Sequence, residues 1–261
     1  MPRLASLTSQ QLSGLGITRS ESVEGFLFEF DSTGYDELIT STSVTNKTNT
    51  VVSGSSKFGY DAYEYASPDL MDMDISSYTS GFSNATDMIT VEGWMWLDSA
   101  PASDKHILGL HRFNNTTGGG YEGDGHHFLY MNSAGDLKYR TMVNGSANAS
   151  TAFSGLTTGA WHHIGFSIYN NDQFSPPQQG KMKIYLNGSA VIKTINGLSS
   201  DADIPFLRYV TFGKWYDYNS LDMFSSSDYG LSQVRVYSGL PSWCPTQLGT
   251  TYTVPSAAYS I

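Results

Sequence analysis

Six histidines and a thin set of carboxylates are the side chains here whose types and spacing could do chemistry. His162 alternates with Ile164 and Phe166, so it reads as a hydrogen-bonded core residue. His163 turns to the opposite face, beside Trp161. His126 and His127 follow Glu122 and Asp124 across a glycine-rich stretch. Carboxylate plus imidazole suits several divalent ions, but the spacing of Glu122, Asp124 and His126 is loose and reads first as a loop. His106 and His111 stand five positions apart on an expected strand. They should point to opposite faces and so cannot share an ion.

Glycoside hydrolysis needs two carboxylates about 5–9.5 Å apart around one bond. The nearest cluster, Asp69, Asp72 and Asp74, reads as a solvated turn. No Gly-x-Ser-x-Gly elbow and no phosphate loop occurs, and Gly118-Gly119-Gly120 precedes no helical pattern. No catalytic residue, resident metal or cofactor is therefore expected. Calcium stays open as an alternative, because Asp98, Asp104, Asp201 and Asp203 all fall in expected loops. Cys244 is the only cysteine. It excludes a disulfide framework and reads as a small apolar residue after Trp243.

Aromatic residues make up 13% of the chain. Trp94, Trp96, Trp161, Phe128 and Tyr130 lie in expected strands and read as core. Tyr121, Trp215, Tyr216, Tyr218 and Tyr229 lie in or beside expected loops. Exposed aromatics stack on sugar rings or anchor protein interfaces. Tyr121, Trp215, Tyr216 and Tyr218 are the candidate ligand-binding residues, for a glycan or a protein surface.

The net charge is -10, with only 15% charged residues. Clustered Lys and Arg are absent, which argues against nucleic acid and against an anionic membrane surface. No apolar run approaches the roughly 18 residues of a spanning helix. The opening Met1-Pro2-Arg3-Leu4 carries no apolar core of a Sec signal, so no secretion route is expected. The seven Asn-x-Ser/Thr sequons then reflect composition.

The elements that would position these residues are strands. Residues 23–30, 58–65, 88–97, 106–113, 126–131, 137–143, 161–169, 182–186, 206–212 and 231–237 read as strands. Residues 88–97 are apolar on both faces and belong in a sheet centre. Residues 132–136 and Asn187-Gly188 read as hairpin turns. A Ser/Thr/Asn-rich loop is expected up to about residue 56. Ten or eleven strands at this spacing predict an all-β, antiparallel two-sheet sandwich, residues 23–240. Residues 1–22, with irregularly spaced Leu4, Leu7, Leu12, Leu15 and Ile17, read as an extended N-terminal arm that orders on a partner. Residues 241–261 read as a C-terminal tail.

Six segments in order resemble the laminin-G-like, concanavalin A-like jelly-roll superfamily. They are Gly25 through Asp31, Lys57 through Tyr65, Ile89 through Met95, Gly159 through Gly165, Met182 through Gly188 and Tyr229 through Tyr237. The resemblance spans residues 23–240 and implies a jelly roll in which His163 is scaffold. Glucan-cleaving members carry Glu-x-Asp-x-Glu on one strand, which this chain lacks. Ser232-Gln233 replaces an Asp-Glu pair common in the family, so no calcium role carries over there.

The start, Met1-Pro2-Arg3-Leu4-Ala5-Ser6-Leu7-Thr8-Ser9-Gln10, is similar to virion structural proteins of tailed phages, marine and cyanobacterial ones especially. That resemblance implies a non-enzymatic bacteriophage structural protein. The expected role is capsid decoration on the exterior of the virion, docked through the arm on a major capsid or tail protein. A carbohydrate-binding tail-fibre or receptor-binding component reading host glycan is the alternative, and homo-oligomers remain open.

Overall fold

The computed structural model describes residues 25–31, 34–37, 43–45, 49–65, 71–75, 88–111, 126–143, 146–171, 178–195, 207, 209–212, 229–239, 241, 249–257 and 259. Every regular element among them is a strand. In chain order these are β1 (Gly25–Asp31), β2 (Gly34–Glu37), β3 (Ser43–Thr45), β4 (Asn49–Lys57), β5 (Tyr60–Tyr65), β6 (Met71–Asp74), β7 (Met88–Leu97) and β8 (Lys105–His111). There follow β9 (His126–Met131), β10 (Leu137–Val143), β11 (Ser146–Phe153), β12 (Ala160–Asn171), β13 (Gln178–Leu186), β14 (Ser189–Thr194), β15 (Tyr209–Phe212) and β16 (Tyr229–Ser238).

They form two antiparallel sheets. One has ten strands, in the order β14-β13-β12-β7-β16-β1-β2-β3, with β5 also reaching β16 and β4 pairing β5. The other has six, in the order β11-β10-β9-β8-β15-β6. Between the sheets lies one apolar core that includes Phe28, Val91, Met95, Leu108, Leu129, Ile164, Phe166 and Phe212. Phe28 of the larger sheet meets Phe212 of the smaller edge to face, ring centres 5.0 Å apart. The all-β sandwich expected from the pattern is what forms.

β7 explains its own composition. It lies between β12 and β16, and all ten of its residues except Trp96 are buried. Val91 and Met95 face the core. Trp94, on the other face, packs with Leu27 and Tyr259 instead. A strand covered on both faces has no reason to alternate polar and apolar residues.

The two expected hairpins form. Asn187 (φ 46°) and Gly188 (φ 90°) both adopt left-handed backbone between β13 and β14, as an Asn-Gly two-residue turn requires. At residues 132–136 the Asn132 carboxamide oxygen accepts from the backbone N–H of Ala134 (3.1 Å) and of Asp136 (2.9 Å). Three expectations fail. Asp72 and Asp74, read as part of a solvated turn, lie in β6 opposite Thr211 and Tyr209 of β15. The supposed loop before residue 56 contains β2, β3 and β4. Their Ser, Thr, Asn and Gly content gives no apolar alternation by which strands are recognised. His106 and His111 also share a face, with ring centres 6.0 Å apart. The β8–β9 register shifts between His106 and Leu108, and that bulge reverses the parity assumed for an uninterrupted strand.

Candidate functional site

Three neighbouring strands of the ten-stranded sheet place an acid, a base and a guanidinium on the face away from the core. Glu92 comes from β7, His163 from β12, and Arg235 and Tyr237 from β16. Glu92 lies opposite Gly165 on one side and Arg235 on the other. Gly165 is needed there. A Cβ at that position would come within 2.5 Å of the Val91 carbonyl oxygen and 2.7 Å of the Glu92 Cβ.

Glu92 is fully buried. Its carboxylate accepts from Arg235 Nε, from the Tyr237 hydroxyl at 2.8 Å, and from His163 Nε2 at 3.0 Å. Burial alone would push the Glu92 pKa up. The Arg235 charge, then the His163 and Tyr237 interactions, outweigh it and hold the carboxyl below its ordinary value. The same carboxylate, despite burial, holds the Arg235 pKa above its usual value. Burial and the Glu92 charge push the hydroxyls of Tyr237 and Tyr259 well above theirs, so both stay protonated as donors.

The roof of this cluster comes from the tail. Ala190 N–H donates to the Thr250 carbonyl (2.7 Å), and Tyr252 N–H to the Gly188 carbonyl (2.9 Å). Ser189 and Thr251 form a β-bridge. Beyond this anchor the Tyr252 hydroxyl lies 2.9 Å from His163 Nδ1, and the Tyr259 hydroxyl 2.9 Å from His163 Nε2. Tyr259 N–H donates to the Gln233 side chain at 3.0 Å. Its ring centre sits 4.3 Å from Arg235 Cζ, within cation–π range. Gln233 thus holds the tail.

An ionised carboxylate offers about four acceptor positions. Three donors, Arg235, Tyr237 and His163, take up most of those of Glu92. A general base must present a lone pair to its substrate, and this one is fully buried and largely committed. The arrangement is suited to riveting β7, β12, β16 and the tail together. His162, the neighbour on the other face, is likewise committed. The Asn187 amide nitrogen donates to its Nδ1 (2.8 Å), and its Nε2 donates to the Thr157 carbonyl (2.8 Å). Burial lowers its pKa, and the Thr157 bond only partly offsets that.

A second cluster lies on the face of the six-stranded sheet turned away from the core. His111 Nδ1 is 2.9 Å from His126 Nδ1, and His111 Nε2 is 2.7 Å from the Thr211 hydroxyl. His106 Nε2 lies 3.4 Å from the same hydroxyl. Phe128 stacks on His111, ring centres 6.1 Å apart. Burial lowers the pKa of His106 to about 3 and that of His127, assisted by the His126 charge, to about 3. Burial, then the neighbouring imidazoles, takes His111 well below its usual value. His106, His111 and His127 are therefore neutral at pH 7. Nδ1 of His106 and of His127 have no hydrogen-bond partner among the described residues.

Of the residues singled out in the sequence, Leu4, Leu7, Leu12, Leu15 and Ile17 of the arm lie outside the described residues, as do Tyr121, Trp215, Tyr216 and Tyr218. So do Glu122, Asp124, Asp201 and Asp203, whereas Asp98 and Asp104 are exposed beside β7 and β8. Among the described residues no group of three or more His, Cys, Asp or Glu is placed to hold a metal. Sequence reasoning missed the roles of Glu92, Arg235, Tyr252 and Tyr259. One signal was there for Glu92: a lone acid in an apolar ten-residue strand must find partners.

No family model matches the chain, and no curated protein resembles it closely enough to count as a match. Among solved structures, Trypanosoma rangeli sialidase in complex with 2,3-difluorosialic acid is similar at TM-score 0.48 and 16% identity, over 83% of this chain and 30% of that one. The botulinum neurotoxin serotype D binding domain is similar at TM-score 0.46 and 14% identity, over 81% and 46%. The endo-β-1,4-glucuronan lyase of Trichoderma reesei is similar at TM-score 0.42 and 14% identity, over 85% and 90%. The chain thus spans about a third of the sialidase's length. These proteins bear on neither its activity nor its ligand. The two-sheet architecture stands on the strand pairings themselves.

Proposed function

We propose that this chain is a non-enzymatic binding and structural protein on the exterior of a tailed-phage particle, a capsid decoration protein whose arm of residues 1–22 docks on the shell while the sandwich projects. The observation that supports a structural over a catalytic role is the commitment of Glu92. It is fully buried and accepts from Arg235, Tyr237 and His163, beneath a tail bonded to β14. A net charge of -10 keeps copies from aggregating on a crowded surface. The phage placement rests on the resemblance of the first residues. Its test is deletion of residues 2–20. The cooperative melt should stay unchanged while attachment to the particle is lost. Retained attachment would move docking to the sandwich and overturn the arm's role.

Carbohydrate binding is the second reading. Trp96 and Trp161 support it, two half-buried rings with centres 5.8 Å apart at one end of the β7–β12 pair. Partly exposed indoles offer the flat apolar surface on which sugars stack. A glycan array with Trp96→Ala, Trp161→Ala, Trp215→Ala and Tyr218→Ala controls tests it. Silence on every glycan would remove it.

A further inference from the structure

β11 ends the six-stranded sheet and, among the described residues, pairs only with β10. β14 ends the other sheet on the same side of the sandwich. Asn148 Nδ2 joins the two by donating to the Thr194 carbonyl at 3.2 Å. The two edges are treated differently. Residues 250–252 cover the start of β14 through two backbone hydrogen bonds and a bridge, and β14 also carries Lys193. β11 reads Ser-Ala-Asn-Ala-Ser-Thr-Ala-Phe. It has no proline and no charge, the two devices that usually blunt an edge. Its one irregularity, a register shift, falls between Leu137 and Lys138 and leaves Ser146 through Thr151 evenly paired. Ala149 and Ser150 are exposed.

The uncharged stretch extends beyond the strand. From residue 141 to residue 171 there is no Asp, Glu, Lys or Arg. In a chain of net charge -10, copies repel wherever acidic surface meets acidic surface. β11 brings no charge of its own to this edge, and among the described residues no strand pairs along its outer side.

We infer that β11 pairs antiparallel with β11 of a second copy of this chain, joining two six-stranded sheets across a two-fold axis. Directly opposed residues in an antiparallel pair share a face. A two-fold perpendicular to the sheet therefore sets one central residue against its own copy. The exposed pair puts that centre at Ala149 or Ser150. The contact is one strand wide, well below the roughly 1,600 Å² of a standard interface, so the dimer is weak and concentration-dependent.

Sedimentation velocity of the full chain, from micromolar to sub-millimolar concentration, reads this directly. Wild type should pass reversibly from monomer to dimer. Ala149→Lys and Ser150→Lys set like charges against each other and should weaken the dimer by about tenfold or more. Both sites are exposed, so the melt should not move. Ala149→Cys or Ser150→Cys should form an intermolecular disulfide under mild oxidation. A monomer at every concentration would overturn the inference. So would a dimer that tolerates both lysines, or one lost only when residues 1–22 are removed, which would make the arm the occupant.

Discussion

The Tyr259 hydroxyl lies 2.9 Å from Nε2 of His163, a residue 96 positions earlier in the chain. His163 is held by strand pairing and Tyr259 by Gln233. Their meeting closes the tail over the buried Glu92 carboxylate that links β7 to β16. Stability of the sandwich and attachment of its tail are thereby coupled through Glu92.

Removing the carboxylate charge should be costly. Glu92→Gln leaves Arg235 without its counter-charge and should destabilise the fold by about 3 kcal/mol. Tyr259→Phe removes one hydroxyl from a site that keeps its other donors and should cost about 1 kcal/mol. Urea denaturation measures both. A Glu92→Gln variant as stable as wild type would show that the cluster is not a rivet.

Gly165→Ala tests the closeness of β12 and β7. The added carbon would sit 2.5 Å from the Val91 carbonyl oxygen, so the backbone must move. A loss of about 2 kcal/mol or more is expected. Gly155→Ala, where φ is +63° and nothing stands within 4 Å, carries only the cost of left-handed backbone and should lose about 1 kcal/mol. Equal losses at the two sites would contradict the packing argument.

Acid should open the molecule. His106 and His127 have folded pKa values of about 3, against ordinary values of 6.5. Between those limits the unfolded chain binds more protons. The stability they contribute is complete above pH 6.5 and falls as pH drops toward 3. At pH 5 each has lost about 2 kcal/mol. Glu92, with its depressed pKa, adds a further loss below its ordinary range. Thermal melts from pH 7.5 to pH 4.5 should show a falling Tm, less steep in His106→Gln. A flat Tm over that range would contradict the burial of these rings.

Much of the fold could be read from the residues, and the reason is local. Met182, Ile184 and Leu186 alternate, and Asn187-Gly188 fixes the turn beside them, so this hairpin is encoded within a dozen positions. The His106–His111 pairing is not. Alternation assumes an unbroken strand, and the β8–β9 bulge depends on the partner's register. The Glu92 cluster was still less visible. Arg235 lies 143 positions from Glu92 and Tyr259 lies 96 from His163. Only the sheet order brings them together.

The abundance and position of this chain in purified particles tests the central proposal most directly. Mass spectrometry against the major shell protein, with cryo-electron microscopy of the same sample, gives both. Hundreds of copies on the exterior of the shell are expected. Absence from the particle, or a few copies confined to the tail, would contradict the decoration role.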